Sequence, residues 1–120
     1  MSRDPRKLKV FELADTLVLD VYRCTRALPP EERYGLQSQI RRAAVSVAAN
    51  IVEGCSRRTT RDYLHFLNLA QGSAAESGYL MGLACRLDFV GGEAAHPIVD
   101  GYDKLARSLN LLAAKLEDSR

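Results

Sequence analysis

Apolar residues recur at spacings of three and four in four separate segments of this sequence, and prolines or glycines stand between the segments. This spacing matches the 3.6 residues of an α-helical turn and places the apolar side chains along one face of each helix. No segment alternates apolar and polar residues with the period of two that marks a half-buried strand. The sequence therefore predicts an all-α protein built from four helices.

The predicted helices cover about residues 9–28, 36–55, 60–89 and 97–117. Pro29-Pro30 ends the first helix, because proline has no backbone N–H and restricts the residue before it. Gly54 is expected to stop the second helix, and Thr60 to cap the start of the third. Gly91-Gly92 then breaks the chain, and Pro97 suits the first turn of the fourth helix.

The three connections between the predicted helices are short. Short connections favour sequential antiparallel neighbours, as in an up-down-up-down four-helix bundle. The length of 120 residues, with 47% hydrophobic and 27% charged residues, suits one domain with one core. Residues 1–120 are therefore expected to form a single antiparallel four-helix-bundle domain.

Cysteine usage and hydropathy indicate where such a chain works. The three cysteines are widely separated and show no CxxC spacing, so neither a disulfide framework nor a thiolate metal site is indicated. No apolar run approaches the ~18 residues that a membrane span needs, and the charged N-terminus does not resemble a signal peptide. We expect a cytoplasmic protein without a membrane partner.

The second predicted helix is apolar around more of its circumference than a core-facing stripe requires. Val47 and Ile51 belong to the stripe that faces the core, whereas Val45, Ala49 and Val52 occupy an adjoining apolar sector. A helix of this kind is usually buried from two sides. We therefore predict that Val45, Ala49 and Val52 contact another subunit. The alternative is a helix of small residues buried deeply within one chain.

The remaining sector of this helix is a polar stripe, formed with Arg42 by Gln39, Ser46, Asn50 and Glu53. Such a stripe either faces solvent or forms a polar network. If Asn50 and Glu53 are buried they must be paired, because an unsatisfied amide or carboxylate costs several kcal/mol. Pairing between helices or between subunits is the favoured interpretation.

Residues suited to catalysis are few. His65 and His96 are the only histidines, and neither lies in a motif that supplies a nucleophile, an orienting group and an oxyanion site. Di-iron bundles need Glu-x-x-His on two helices and carboxylates on the other two, whereas only Asp62 and His65 show a comparable spacing. No Walker loop or dinucleotide fingerprint occurs. The sequence predicts no enzyme, no metal and no cofactor.

Positive charge is concentrated in the middle of the chain. Residues 33–61 carry a formal charge of +5, although the whole chain carries only +2. Within this stretch, a basic surface for RNA or DNA backbones is predicted from Arg42, Arg57, Arg58 and Arg61, because guanidinium groups match phosphate oxygens. No aromatic residues interleave with these four, so base stacking is not predicted. The alternative is that the arginines pair with carboxylates. In that case the chain is a protein-interaction scaffold with no nucleic-acid role.

Several short motifs follow one another in a fixed order through the second and third predicted helices. They are Tyr34-Gly35-Leu36, Gln39-Ile40-Arg41-Arg42-Ala43-Ala44, Ser46, Asn50-Ile51, Glu53-Gly54, and Gly72-Ser73-Ala74 with Glu76. In this combination, from Phe11 to Leu116, the sequence resembles the bacterial four-helix-bundle proteins called 23S rRNA intervening-sequence proteins, or the S23 family. The resemblance implies a cytoplasmic bundle, a homopentameric ring and no established enzymatic activity.

The accessory protein of diversity-generating retroelements is similar to this family in fold and assembly, and it associates with nucleic acid and a reverse transcriptase. The resemblance therefore implies a non-enzymatic oligomeric adaptor whose partners are copies of itself and RNA or DNA, or alternatively another protein. One departure is Ser77-Gly78, where relatives commonly carry a leucine. A glycine inside a helix costs about 1 kcal/mol relative to alanine, unless it marks a close helix contact.

Overall fold

The computed structural model describes residues 3–119, and helices account for most of them. The α-helices are α1 (Lys9–Cys24), α2 (Leu36–Cys55), α3 (Thr60–Arg86) and α4 (Gly92–Asp118). Short 3-10 segments occur at Pro5–Lys7, Thr25–Ala27 and Pro30–Glu32. Residues 3–119 contain no strand, so the prediction of an all-α chain with four helices is confirmed. The predicted domain also includes residues 1, 2 and 120, which lie outside the described residues.

Each helix packs mainly against its neighbour in the sequence, and α4 returns to pack against α1. The contacts between α2 and α3 show that these two helices are antiparallel. The end of α2 meets the start of α3 where Gly54 lies against Tyr63, and Ser46 meets Ser73 further along both helices. The result is an elongated bundle of 47 × 22 × 19 Å.

The core lies along the axis of the bundle, and every helix contributes fully buried apolar side chains to it. Val21 comes from α1, Ile51 from α2, Leu67 from α3 and Leu105 from α4, and none of them is more than 1% exposed. Burying an aliphatic side chain of this size stabilises the fold by about 1.5–3 kcal/mol. The stripes of apolar residues at helical spacing therefore supply most of the driving force for folding.

The observed helix boundaries differ from the predicted ones at the connection between α3 and α4. Helix α3 ends at Arg86, because Asp88 adopts a left-handed φ of 62° and the Phe89 N–H donates to the Ala84 carbonyl. Helix α4 begins at Gly92 and not at Pro97, which lies inside it. The prediction for Pro97 was wrong because the core extends further, to the fully buried Ala95.

Smaller differences occur at two other helix ends. Helix α1 stops at Cys24, and a 3-10 turn over Thr25–Ala27 continues the chain to Leu28. Helix α3 begins at Thr60 as predicted, but the residue that caps it is Thr59, whose hydroxyl accepts a hydrogen bond from the Asp62 N–H at 3.1 Å. Both differences shift the ends of helices without changing their order.

Gly54 permits a close approach of α2 and α3. A Cβ atom at this position would lie 3.0 Å from Tyr63 Cδ1 and 3.1 Å from Phe66 Cβ, which is closer than carbon atoms normally pack. Gly78 is less constrained, because a Cβ there would lie 3.5 Å from Tyr102 Cβ, an ordinary contact distance. Close packing therefore requires a glycine in α2 but not at the Gly78 position of α3.

Alanine substitutions at two glycines should have opposite effects on stability. Gly72→Ala adds a methyl group to an open position in α3, so we expect the free energy of unfolding to rise by about 1 kcal/mol. Gly54→Ala forces Tyr63 and Phe66 to move, so we expect a loss of about 1–3 kcal/mol. Urea unfolding followed by circular dichroism at one fixed protein concentration measures both. An increase in stability for Gly54→Ala would contradict the close approach.

Tyr102 offers a second test, because its buried hydroxyl makes no hydrogen bond of normal distance and angle among the described residues. Burial also raises the pKa of Tyr102 above its usual value, as expected for a hydroxyl shielded from water. Tyr102→Phe removes this unsatisfied group and keeps the ring, so we expect the free energy of unfolding to stay within about 0.5 kcal/mol or to rise. A loss of more than about 1 kcal/mol in urea unfolding would show that the hydroxyl is satisfied in solution.

Candidate nucleic-acid and assembly surfaces

Residues 3–119 show no cluster suited to metal binding. No group of three or more histidine, cysteine, aspartate or glutamate side chains in this part of the chain could hold a metal ion. The three cysteines are free, and burial raises the pKa of the Cys55 thiol, which disfavours the reactive thiolate. No helix within the described range 3–119 combines the length and the hydrophobicity that crossing a membrane requires.

Three of the four predicted arginines lie close together at the connection between α2 and α3. Arg57 lies just beyond α2 and is held by the last turn of that helix, because its Nη2 donates to the Glu53 carboxylate at 2.9 Å. Its guanidinium also lies 5.3 Å from the centre of the Phe66 ring. Arg58 and Arg61 are exposed, and neither has a carboxylate within 4.0 Å among residues 3–119. These two side chains are free to bind an external anion.

The N-terminal segment adds further positive charge at the same place. The Arg3 N–H donates to the Cys55 carbonyl at 2.7 Å, and the Arg3 guanidinium lies 4.2 Å from the centre of the Tyr63 ring. The resulting surface, formed by Arg3, Arg57, Arg58 and Arg61, is called the basic end below. The surface predicted from the sequence lay within residues 33–61 and did not include Arg3. The predicted antiparallel order of the helices could have revealed this contact, because it places the start of α1 beside the end of α2.

Arg42 does not belong to the basic end. Arg42 lies near the start of α2 and Arg57 just beyond its end, and at a rise of 1.5 Å per residue the helix from residue 42 to Cys55 spans roughly 20 Å. The arginines predicted to form one patch therefore lie at two places. Arg42 is exposed near the start of α2, where it lines a groove with Tyr22, Arg33 and Tyr34.

The three residues predicted to contact another subunit are exposed on the outer side of α2. Val45 is 42% exposed and Val52 is 44% exposed, and Ala49 between them is also exposed. The alternative interpretation, in which this helix is buried within one chain, is therefore wrong. The three side chains form a short apolar stripe that the other helices of the same chain leave open to solvent.

The predicted polar stripe of α2 divides into two parts. Asn50 Nδ2 donates to the Ser46 carbonyl at 2.8 Å and to Ser46 Oγ at 3.0 Å, and Ser46 Oγ lies 2.9 Å from Ser73 Oγ. These half-buried groups form a hydrogen-bond network at the contact between α2 and α3. Gln39 and Glu53 are exposed instead, and Glu53 is the partner of Arg57.

Comparisons with known proteins agree with this architecture. The model of the family described as 23S rRNA-intervening sequence protein matches residues 6–111. A crystal structure of a protein with unknown function from the S23 ribosomal protein family of Bacteroides thetaiotaomicron VPI-5482 superimposes with a TM-score of 0.79 and 22% sequence identity. The match covers 87% of this chain and 97% of that chain. No curated protein gives a significant match. By the extent of the family match, this chain belongs to the 23S rRNA-intervening sequence protein family.

Proposed function

We propose that this chain is a non-enzymatic subunit of a homo-oligomer that binds RNA or DNA through the phosphate backbone. The main support is the basic end, where the exposed Arg58 and Arg61 have no carboxylate partner within 4.0 Å among residues 3–119. Guanidinium groups in this state can form paired hydrogen bonds with phosphate oxygens. The resulting affinity is independent of base sequence and sensitive to salt.

Assembly is the second part of the proposal, and the apolar stripe of Val45, Ala49 and Val52 supports it. The exposed valines of α2 leave apolar surface in contact with water. A second copy of the chain that covered this surface would be stabilised by the hydrophobic effect. The small side chains of the stripe also allow another backbone to approach closely. We propose a ring of five copies, as the family resemblance implies. A closed ring brings two different patches of each subunit together, so this stripe would meet another face of its neighbour.

Assembly and nucleic-acid binding reinforce each other in this proposal. A single copy offers few free arginines at the basic end, so its affinity for a phosphate backbone is expected to be weak. A ring repeats the same arginines in every subunit, and a nucleic acid that contacts several copies gains affinity by multivalency. The rival proposal is a scaffold for another protein, and the Arg57–Glu53 pair favours it, because one predicted phosphate ligand is already occupied.

A salt titration tests the basic end. We expect Arg58→Glu with Arg61→Glu to weaken the binding of labelled RNA or DNA more than tenfold at about 0.1 M salt. The negative slope of log affinity against log salt should become shallower by about 2 for each subunit that contacts the strand. Fluorescence anisotropy measures both quantities. The matched control is Arg86→Glu with Arg107→Glu, which makes the same change in net charge on exposed sites elsewhere.

Equal losses for the two double variants would show that only net charge matters and would reject the basic end as a site. Absence of wild-type binding even at about 0.05 M salt would favour the scaffold proposal.

Aspartate substitutions test the assembly stripe. We expect Val45→Asp with Val52→Asp to convert the oligomer into monomers, because both charges would be buried between subunits at a cost of several kcal/mol. Light scattering coupled to gel filtration measures the mass. Circular dichroism should stay unchanged, since both positions are exposed in the single chain. The control is Leu87→Asp at a position that is 49% exposed near the end of α3. An unchanged mass for the double variant would rule out this stripe as an interface.

A further inference from the structure

A groove of about 300 Å³ opens where the end of α1 meets the start of α2, away from the basic end. Arginines and tyrosines dominate its lining, which includes Tyr22, Arg33, Tyr34, Arg41 and Arg42. Among residues 3–119, no carboxylate lies within 4.0 Å of any of these three guanidinium groups. This surface, called the Tyr–Arg groove below, therefore concentrates positive charge that the rest of the described chain does not neutralise by direct pairing.

Arg41 is fixed in place at the groove by the end of α1. Its Nε donates to Thr25 Oγ1 at 2.9 Å, and its Nη2 donates to the Tyr22 carbonyl at 3.2 Å. Gln37 Nε2 donates to the Thr25 carbonyl at 3.0 Å. Arg41 and Gln37 thus donate to carbonyl groups at the end of α1 and in the 3-10 turn that follows it, where the regular helical hydrogen bonds stop. Arg41 is therefore a positioning residue that holds a cation at the wall of the groove.

Arg33 and Arg42 differ from Arg41 because they are exposed and available to a ligand. Tyr34 lies beside them and is 86% exposed, with the Arg33 guanidinium 5.3 Å from the centre of its ring. On the other wall, the Arg41 guanidinium lies 4.5 Å from the centre of the Tyr22 ring. An aromatic ring that is almost fully exposed gains little from packing within its own chain. The groove thus combines an open aromatic surface with free cations.

This combination matches the chemistry of an unpaired nucleotide. Proteins that bind single strands stack bases on aromatic rings and contact the backbone with cations. A double helix keeps its bases stacked on each other and offers a tyrosine no free base face. Acidic peptides would use the arginines but would gain nothing from the exposed ring of Tyr34. The aromatic component of the groove therefore favours a single strand.

We infer that the Tyr–Arg groove binds an unpaired base and its phosphate from single-stranded RNA or DNA. The base stacks on Tyr34, and Arg33 and Arg42 bind the phosphate oxygens. This inference rests on the proposed function and deepens it, because it adds a preference for single strands to the backbone contacts of the basic end. It also gives Arg42 a role separate from that of Arg58 and Arg61.

The test compares two probes by fluorescence anisotropy at one salt concentration, a labelled deoxythymidine 12-mer and a duplex of the same length. We expect Tyr34→Ala to weaken binding of the single strand about 5- to 150-fold, the range for loss of one stacked base, and to leave binding of the duplex unchanged. Tyr34→Phe keeps the stacking ring and should bind like the wild type. Arg33→Glu with Arg42→Glu should weaken the single strand at least tenfold.

Several results would overturn the inference. If Tyr34→Ala binds the single strand like the wild type while Arg58→Glu with Arg61→Glu does not, the groove is excluded and the proposed function stands. If the wild type binds neither probe, both the proposed function and the inference are rejected. Binding of a poly-glutamate peptide that depends on Arg33 and Arg42, without binding of the 12-mer, would assign the groove to acidic proteins. A lower oligomer mass for Tyr34→Ala would assign it to a subunit contact.

Discussion

The close contact between α2 and α3 determines which face of α2 points out of the bundle, and so fixes the position of the proposed assembly stripe. Gly54 lets the end of α2 approach Tyr63 and Phe66, and the Ser46–Ser73 contact of 2.9 Å holds the two helices in register further along. Together these contacts turn the buried face of α2, which includes Ile51, towards the core. The opposite face is then left on the outside of the bundle, and the proposed assembly stripe lies there.

Helix α2 is about 30 Å long and consequently contributes to the core and to each of the proposed surfaces. Its core face packs inside the chain, its outer valines are available to a second copy, and its two ends bring arginines to separate places. The basic end gathers Arg58 and Arg61 with the N-terminal segment, while Arg42 contributes to the Tyr–Arg groove. In an assembly, two separated sites on each subunit would bind one strand more tightly than either site alone.

The sequence was sufficient for the fold because the dominant signal was local. Apolar spacing identified the four helices, and the predicted range 36–55 agrees with α2. Pro97 misled the prediction, because the usual preference of proline for the first helical turn is weaker than the gain from burying Ala95 in an extended core. Local propensity in this case yielded to tertiary packing.

The candidate sites were harder to predict because they depend on contacts between residues distant in the chain. Arg42 and Arg57 belong to one basic stretch of the sequence, but roughly 20 Å of α2 lies between them. The Tyr–Arg groove depends on the pairing of Arg41 with Tyr22 and Thr25, which only the antiparallel contact of α1 and α2 creates. Exposure of Val45 and Val52, by contrast, could be anticipated, because the sequence showed that this helix is apolar around more of its circumference than the core can cover.

Native mass spectrometry of the purified chain, with and without a short single-stranded RNA, tests most directly whether this protein works as an assembled nucleic-acid-binding subunit. One spectrum reports both the number of 13.3 kDa subunits and the number of bound strands. We expect ions that contain several subunits, five for a closed ring, and a further mass increase when RNA is added. Ions of single chains without RNA, over the whole accessible range of protein concentration, would contradict this expectation.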